Sequence, residues 1–180
     1  MASPKVVMHV DDDQAMLRLV ERSLVRSGYE VVSVQDPLQA LAELKRSNAR
    51  VVLLDIDMPG KDGLTLLQEI KQFDGGIQVI MVTGMVSMGT VLRSTTMGAE
   101  GCIFKPISDM QQIIDAVDRA FTKIHGWWEA LHNWMLRRYG ARGKRVFEAE
   151  AAELGIDLES SPAIVALHAT PVLNEPTGIS

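Results

Sequence analysis

The chain has 180 residues, 47% of them hydrophobic and 23% charged, with a formal net charge of −5. That is enough apolar material for one core of ordinary size plus an extension, and the negative balance argues against a general nucleic-acid or membrane surface. A single cysteine, Cys102, leaves no internal disulfide framework and fits a reducing compartment, while the absence of a leader-like start or of an apolar run near 20 residues points to a cytoplasmic protein with no membrane partner.

Residues 5–10 read as a strand with Asp11, Asp12 and Asp13 crowded at its end. Helical spacing follows through Met16, Leu19, Val20, Leu24 and Val25, and Gly28 supplies a stop. Residues 29–34 form a second strand. Asp36 reads as an N-cap with Pro37 at the first helical position of a helix through Leu38, Leu41 and Leu44. Residues 51–54 are all apolar, as in a strand buried on both faces, and deliver Asp55 to its C-terminal end. Pro59-Gly60 forces a turn, Leu64, Leu67 and Ile70 face the next helix inward, and Gly75-Gly76 ends it. Residues 77–82 make a fourth strand followed by Thr83-Gly84. The helix expected over 86–97 is weak by propensity, because Gly89, Thr90, Val91, Thr95 and Thr96 all cost stability relative to Ala. Residues 101–104 are a fifth strand leading to Lys105-Pro106. Five strand–helix alternations without a hairpin signal predict a parallel sheet with helices on both faces.

From Asp109 apolar residues recur every seven positions, as Met110, Val117, Ile124 and Leu131, as Ile113, Ala120, Trp127 and Trp134, and as Ile114, Phe121, Trp128 and Met135. This predicts one helix over about 109–137, on the order of 43 Å long, whose second half carries all three tryptophans and extends past the sheet. Gly126 is its expected weak point. Residues 142–154 read as a further short helix ending at Gly155, and 161–180, with three prolines, as a loose tail. The expected organisation is therefore 1–122, 123–160 and 161–180.

In an open parallel sheet chemistry collects at the C-terminal strand ends. There Asp11, Asp12, Asp55, Thr83 and Lys105 come together. Clustered carboxylates are stable in their charged form only beside a cation, and an all-oxygen set with open positions suits Mg²⁺. Asp55 on this reading is a nucleophile or a metal ligand, with a hydroxyl and an ammonium at hand for a phosphoryl group.

The motifs VDDD at 10–13, DIDMPGKDG at 55–63, TG at 83–84 and KP at 105–106 closely resemble the receiver domain of two-component response regulators, over residues 4–122. The resemblance implies a doubly wound, flavodoxin-like (βα)5 sheet of order 2-1-3-4-5 followed here by a C-terminal helical extension. It implies that Asp55 accepts a phosphoryl group from a sensor histidine kinase or phosphotransfer protein, that Asp11, Asp12 and Asp55 hold Mg²⁺ with the Asp57 backbone carbonyl, and that Thr83 and Lys105 contact the phosphoryl group. It further implies a phosphoacceptor that helps catalyse its own phosphorylation and dephosphorylation, not a conventional enzyme. Two positions depart from the family pattern. Cys102 stands where an aromatic is usual, and Gly84 where Ala is common. Signalling by rotation of that aromatic ring is thus unavailable, and output is expected through the fourth and fifth helices and the extension.

Simpler readings fit several other residues. Asp13 is an N-cap, His9 a hydrogen-bonded core residue, Cys102 a small buried hydrophobe, and His125 and His132 a polar pair on a solvated face. The tryptophan face either packs on the 142–154 helix, forms a homodimer seam or binds a downstream protein. The basic residues Arg137, Arg138, Arg142, Lys144 and Arg145 suggest a rival, a small DNA-binding output unit over 123–180. Six Lys/Arg against seven Asp/Glu in that segment, with no helix-turn-helix pattern, make DNA the less favoured partner.

Overall fold

The computed structural model of the chain describes residues 5–84 and 87–153. They fall into two compact units, one of Pro4–Gly126 and one beginning at Trp127.

The first unit alternates β1 (Val6–Val10), α1 (Gln14–Arg26), β2 (Glu30–Val34), α2 (Ala40–Ser47), β3 (Val51–Leu54), α3 (Gly63–Phe73), β4 (Gln78–Thr83), α4 (Met88–Thr96) and β5 (Gly101–Phe104) before the long α5 (Gln111–Glu153) begins. All strand pairings are parallel, in the order β2-β1-β3-β4-β5, the flavodoxin-like order expected. Every residue of β3 and β4 is buried, as unbroken apolar runs require when helices cover both faces. The core joins Met8, Val10, Val52 and Leu54 of the sheet to Leu44 of α2 and Leu64, Leu67 and Ile70 of α3.

Asp13 caps α1, its side chain accepting from the Ala15 and Met16 amides. The buried stripe of α1 is Leu17, Val20 and Leu24, while Leu19 and Val25 face solvent. The expected face was thus misplaced by part of a turn, because a run of mixed Leu and Val fits two adjacent stripes. Asp36 does not cap α2 directly. Its carboxylate accepts from Leu38 at 2.9 Å, and i→i+3 bonds from Gln39 and Ala40 form a tight turn, so the helix starts at Ala40. The fourth helix is short, capped by Ser87, and Ser94 is its only buried residue.

α5 also departs from expectation. Gly126 is helical; the sole non-helical backbone inside α5 is Gly140, at φ 55° and ψ −145°. The break therefore falls at the glycine whose missing Cβ permits a conformation closed to L side chains, and the part of α5 beyond it, up to Glu153, is the short helix expected over 142–154. In the second unit His132, Gly143 and Ala151 are buried, and Met135, Arg142, Gly143 and Val146 line an open groove of about 350 Å³. His132, 2% exposed, is thus a buried residue and not half of a solvated pair. The tryptophans divide: Trp128 is half-buried, whereas Trp127 and Trp134 are 72% and 47% exposed. The tail expected over 161–180 and the stop at Gly155 lie outside the described residues.

Candidate functional site

Backbone bonds carry the sheet one residue past its strands and fix the groups at its edge. The Asp11 amide donates to the Val34 carbonyl at 3.2 Å, Asp55 to Val10 at 3.0 Å, and Lys105 to Thr83 at 2.9 Å. The tips of β1, β3, β4 and β5 thereby present Asp11, Asp55, Thr83 and Lys105 side by side, with Thr83 buried. The Lys105-Pro106 peptide is cis.

Asp11, Asp12 and Asp55 each offer a carboxylate oxygen within 4.8 Å of the others. Lys105 Nζ donates to Asp11 Oδ2 and to Asp55 Oδ2, both at 2.8 Å. The second oxygen of each carboxylate is held by backbone: Asp11 Oδ1 accepts from the Asp13 amide at 2.9 Å, and Asp55 Oδ1 from Ile56 at 2.7 Å and Asp57 at 3.4 Å. Asp55 is therefore oriented on one side by its own loop and on the other by an ammonium. Burial raises the Asp11 pKa above the usual carboxylate range, against the hydrogen bonds from Lys105 and Asp13. For Lys105 burial acts to lower the pKa, but its bonds to Asp11 and Asp55 outweigh it and hold the ammonium above its ordinary value. Three carboxylates against one ammonium leave the cluster short of positive charge. Its donor set, all oxygen and open to one side, fits a hard divalent cation that keeps some of its waters.

Sequence reasoning missed Gly63. Its amide donates to the Ile56 carbonyl at 2.9 Å, and a Cβ there would lie 2.0 Å from the Asp55 carbonyl oxygen and 2.7 Å from Ile56 Cα. Only glycine lets the start of α3 press this closely on the loop that carries Asp55. The available signal was the Asp62-Gly63 pair, in which Asp62 caps α3 through the Leu64 amide. His9 is fully buried, but neither ring nitrogen has a hydrogen-bond partner, contrary to the expected bonded state, and Asp11 Oδ2 stands 3.8 Å away. Burial, and secondarily the charge of Lys105, lowers its pKa to about 4, so the imidazole is neutral and the pocket gains no second cation. Cys102 is only partly buried; it packs against the core and lies 3.4 Å from the hydroxyl of Ser94. The strand position usually given to an aromatic thus touches the one buried side chain of α4.

A family model of the response regulator receiver domain matches residues 7–118. A protein-glutamate methylesterase/protein-glutamine glutaminase of Paramagnetospirillum magneticum is 41% identical over 145 residues, covering 77% of this chain and 36% of that protein. The chemotaxis protein CheY of Bacillus subtilis is 32% identical over 114 residues, covering 63% of this chain and 94% of that one. Among solved structures, a CheY-like receiver domain protein from Methanospirillum hungatei superposes with a TM-score of 0.66 at 28% identity, over 69% of this chain and 98% of that one. The chain belongs to the response regulator receiver domain family. It spans about a third of the methylesterase but nearly all of the chemotaxis protein CheY.

Proposed function

We propose that Asp55 is the phosphoacceptor of a two-component signalling protein and that residues 1–122 form its receiver. The carrying observation is the Asp55 carboxylate at the tip of β3, 2.8 Å from Lys105 Nζ and within 4.8 Å of Asp11 and Asp12. In the forward step an Asp55 oxygen attacks phosphorus on the phosphohistidine of a sensor kinase or phosphotransfer protein. The N–P bond breaks, and an acyl phosphate forms on Asp55. Hydrolysis returns the carboxylate and inorganic phosphate. Lys105, already bonded to Asp55, neutralises charge on the transferred group, and Thr83 offers a hydroxyl beside it. Mg²⁺ held by Asp11, Asp12, Asp55 and the Asp57 carbonyl would supply the missing positive charge for the phosphoryl oxygens. On this reading the chain acts in the cytoplasm as a switch with self-catalysed turnover and not as an enzyme on an outside substrate. Output runs through protein contacts of α4, α5 and residues 123–160, to a downstream protein or a second copy.

Incubation with a small phosphodonor and Mg²⁺ adds one phosphoryl group of mass, and Asp55→Asn abolishes the addition. Equal labelling of the Asn variant would overturn the assignment. Exposed Arg137, Arg138, Arg142 and Arg145 favour a second reading, contact with DNA. A salt-dependent shift of DNA by the full chain supports it, and no shift at low salt removes it.

A further inference from the structure

β1 carries one polar residue within an otherwise apolar strand. Alternation turns Met8 and Val10 toward the core shared with α2 and α3, and sets Val7, His9 and Asp11 on the opposite face of the sheet. The His9 imidazole therefore neighbours the Asp11 carboxylate. It is fully buried, and both ring nitrogens lack a hydrogen-bond partner. The residues paired with His9 across the sheet do not engage it: Leu53 on β3 is apolar, and the Ser33 hydroxyl on β2 donates to Glu21 at 3.0 Å. Nε2 instead stands 3.8 Å from Asp11 Oδ2, about 1 Å beyond bonding range. That oxygen is already held by Lys105 Nζ at 2.8 Å, and the same ammonium holds Asp55 Oδ2 at 2.8 Å. A buried imidazole without a partner costs more than the apolar side chain that would fit this strand. A second state of the site, in which the ring is bonded, accounts for it.

We infer that His9 is the positioning residue of Asp11: when Lys105 yields Asp11 to a divalent cation in the carboxylate cluster, His9 Nε2–H donates to Asp11 Oδ2 in its place. The driving force is charge. An ammonium and a divalent cation among the same three carboxylates repel each other. Lys105 can withdraw, since its side chain is 19% exposed, whereas Asp11 and His9 are wholly buried. Asp11 Oδ1 stays on the Asp13 amide. Without His9, Oδ2 would lose a charged donor where solvent does not reach, and the carboxylate would pivot on its remaining bond. A carboxylate has about four acceptor sites, so bonds from Asp13 and His9 leave Asp11 able to face the cation. Hydrogen bonds behind a ligating carboxylate keep it aimed, and losing one typically weakens metal binding. Lys105, released from Asp11, is then available to the phosphoryl group on Asp55. The inference rests on the cation and phosphoacceptor roles proposed above and adds the residue that lets Lys105 change partners.

Calorimetric titration of the full chain with Mg²⁺, without a phosphodonor, tests it in three proteins. His9→Leu keeps an apolar side chain in the strand and removes the donor, and it weakens Mg²⁺ binding about tenfold. His9→Gln restores an N–H donor, and its affinity returns toward the parent value. Unaltered affinity in the Leu variant overturns the role. So does an equal loss in both variants, which would mark disturbed packing and not a missing donor. A second measurement needs no variant. In ¹⁵N-histidine-labelled parent the ring Nε2–H proton, assigned to His9 through its backbone, moves downfield as Mg²⁺ is added. A His9 ring signal that Mg²⁺ leaves in place overturns the closure. A parent that binds no Mg²⁺ overturns the inference together with the cation assignment. A parent that binds Mg²⁺ in a His9-dependent way yet gains no phosphoryl mass from a phosphodonor removes the phosphoacceptor reading alone, and the role of His9 toward Asp11 stands.

Discussion

The two units of this chain solve the burial of apolar surface in different ways. In Pro4–Gly126 a five-stranded parallel sheet has two faces, and the helices flanking them leave β3 and β4 with no exposed residue. Side chains at the strand tips are then held by backbone bonds to within one hydrogen bond of each other, and chemistry can be read from their identities. In the unit from Trp127 onward, one helix broken at Gly140 buries His132, Gly143 and Ala151 but turns Trp127, Leu131 and Trp134 to solvent. A sheet dictates which side of each residue is inside. A helix segment does so only once its partner is known. The receiver accordingly carries a fixed site, and the extension carries a surface whose meaning depends on what it meets.

The largest expected effect strikes the rigid side of this contrast. Gly63→Ala places a methyl group 2.0 Å from the Asp55 carbonyl oxygen, a backbone atom that cannot rotate away. Overpacking of this kind costs about 1–3 kcal/mol and more where backbone must shift. Urea unfolding of the variant should show at least that loss. The phosphodonor labelling rate should fall with it, since the displaced loop is the one whose Ile56 and Asp57 amides orient Asp55. Unchanged labelling at full stability would mean that the α3 start can retreat without moving the acceptor.

A smaller pair of effects, of opposite sign, sharpens the contrast within α5. Gly140 sits at φ 55°, ψ −145°, and Gly126 in ordinary helical backbone with nothing within 4 Å of an added Cβ. Gly140→Ala should destabilise by about 1–2 kcal/mol, since the new side chain resists that conformation. Gly126→Ala should stabilise by up to about 1 kcal/mol, the helix-interior difference between the two residues. Thermal melts followed by far-ultraviolet circular dichroism measure both. Destabilisation by both substitutions would show that Gly126 serves a packing role absent from the surroundings of its Cβ.

The same division explains what was legible beforehand. The strand order, the carboxylate cluster and its ammonium follow from residue types at strand ends, because a parallel sheet brings those ends to one edge whatever the loops do. Gly63 was not legible, since a close approach between two backbones leaves no signal except a glycine, and this chain has 14 of them. The unbonded state of His9 depends on the distance of 3.8 Å to Asp11, which no pattern encodes. In the extension the seven-residue repeat is shared by two columns about 100° apart on the helix, Trp127 with Trp134 and Trp128 with Met135. Sequence alone merges them into one tryptophan face. The break at Gly140 was legible, since the helices expected over 109–137 and 142–154 leave that glycine between them, whereas only the backbone path shows that Gly126 stays helical.

The smallest effect concerns the anchoring of the first turns of α5 to the receiver. Tyr29 is buried, stacks on Phe121 at 5.6 Å between ring centroids, and donates its hydroxyl to Asp118. Tyr29→Phe keeps the stack and removes the donor, leaving an exposed carboxylate that water can solvate, so the loss at neutral pH should be about 0.5–1 kcal/mol. Burial first, and then the hydrogen bond to Asp118 and its charge, push the Tyr29 phenol well above its ordinary pKa. A raised pKa in the folded state means that the folded protein holds this proton where the unfolded chain has lost it. The contribution is therefore complete below about pH 10 and declines as pH rises beyond it, by at most about 1.4 kcal/mol per pH unit. The Phe variant lacks this titration, so the difference in unfolding free energy between parent and variant should shrink above pH 10 and then reverse. A difference that stays constant through that range would mean that the phenol ionises as readily in the folded chain as in the unfolded one, and that its bond to Asp118 does not tie α5 to the edge of the sheet.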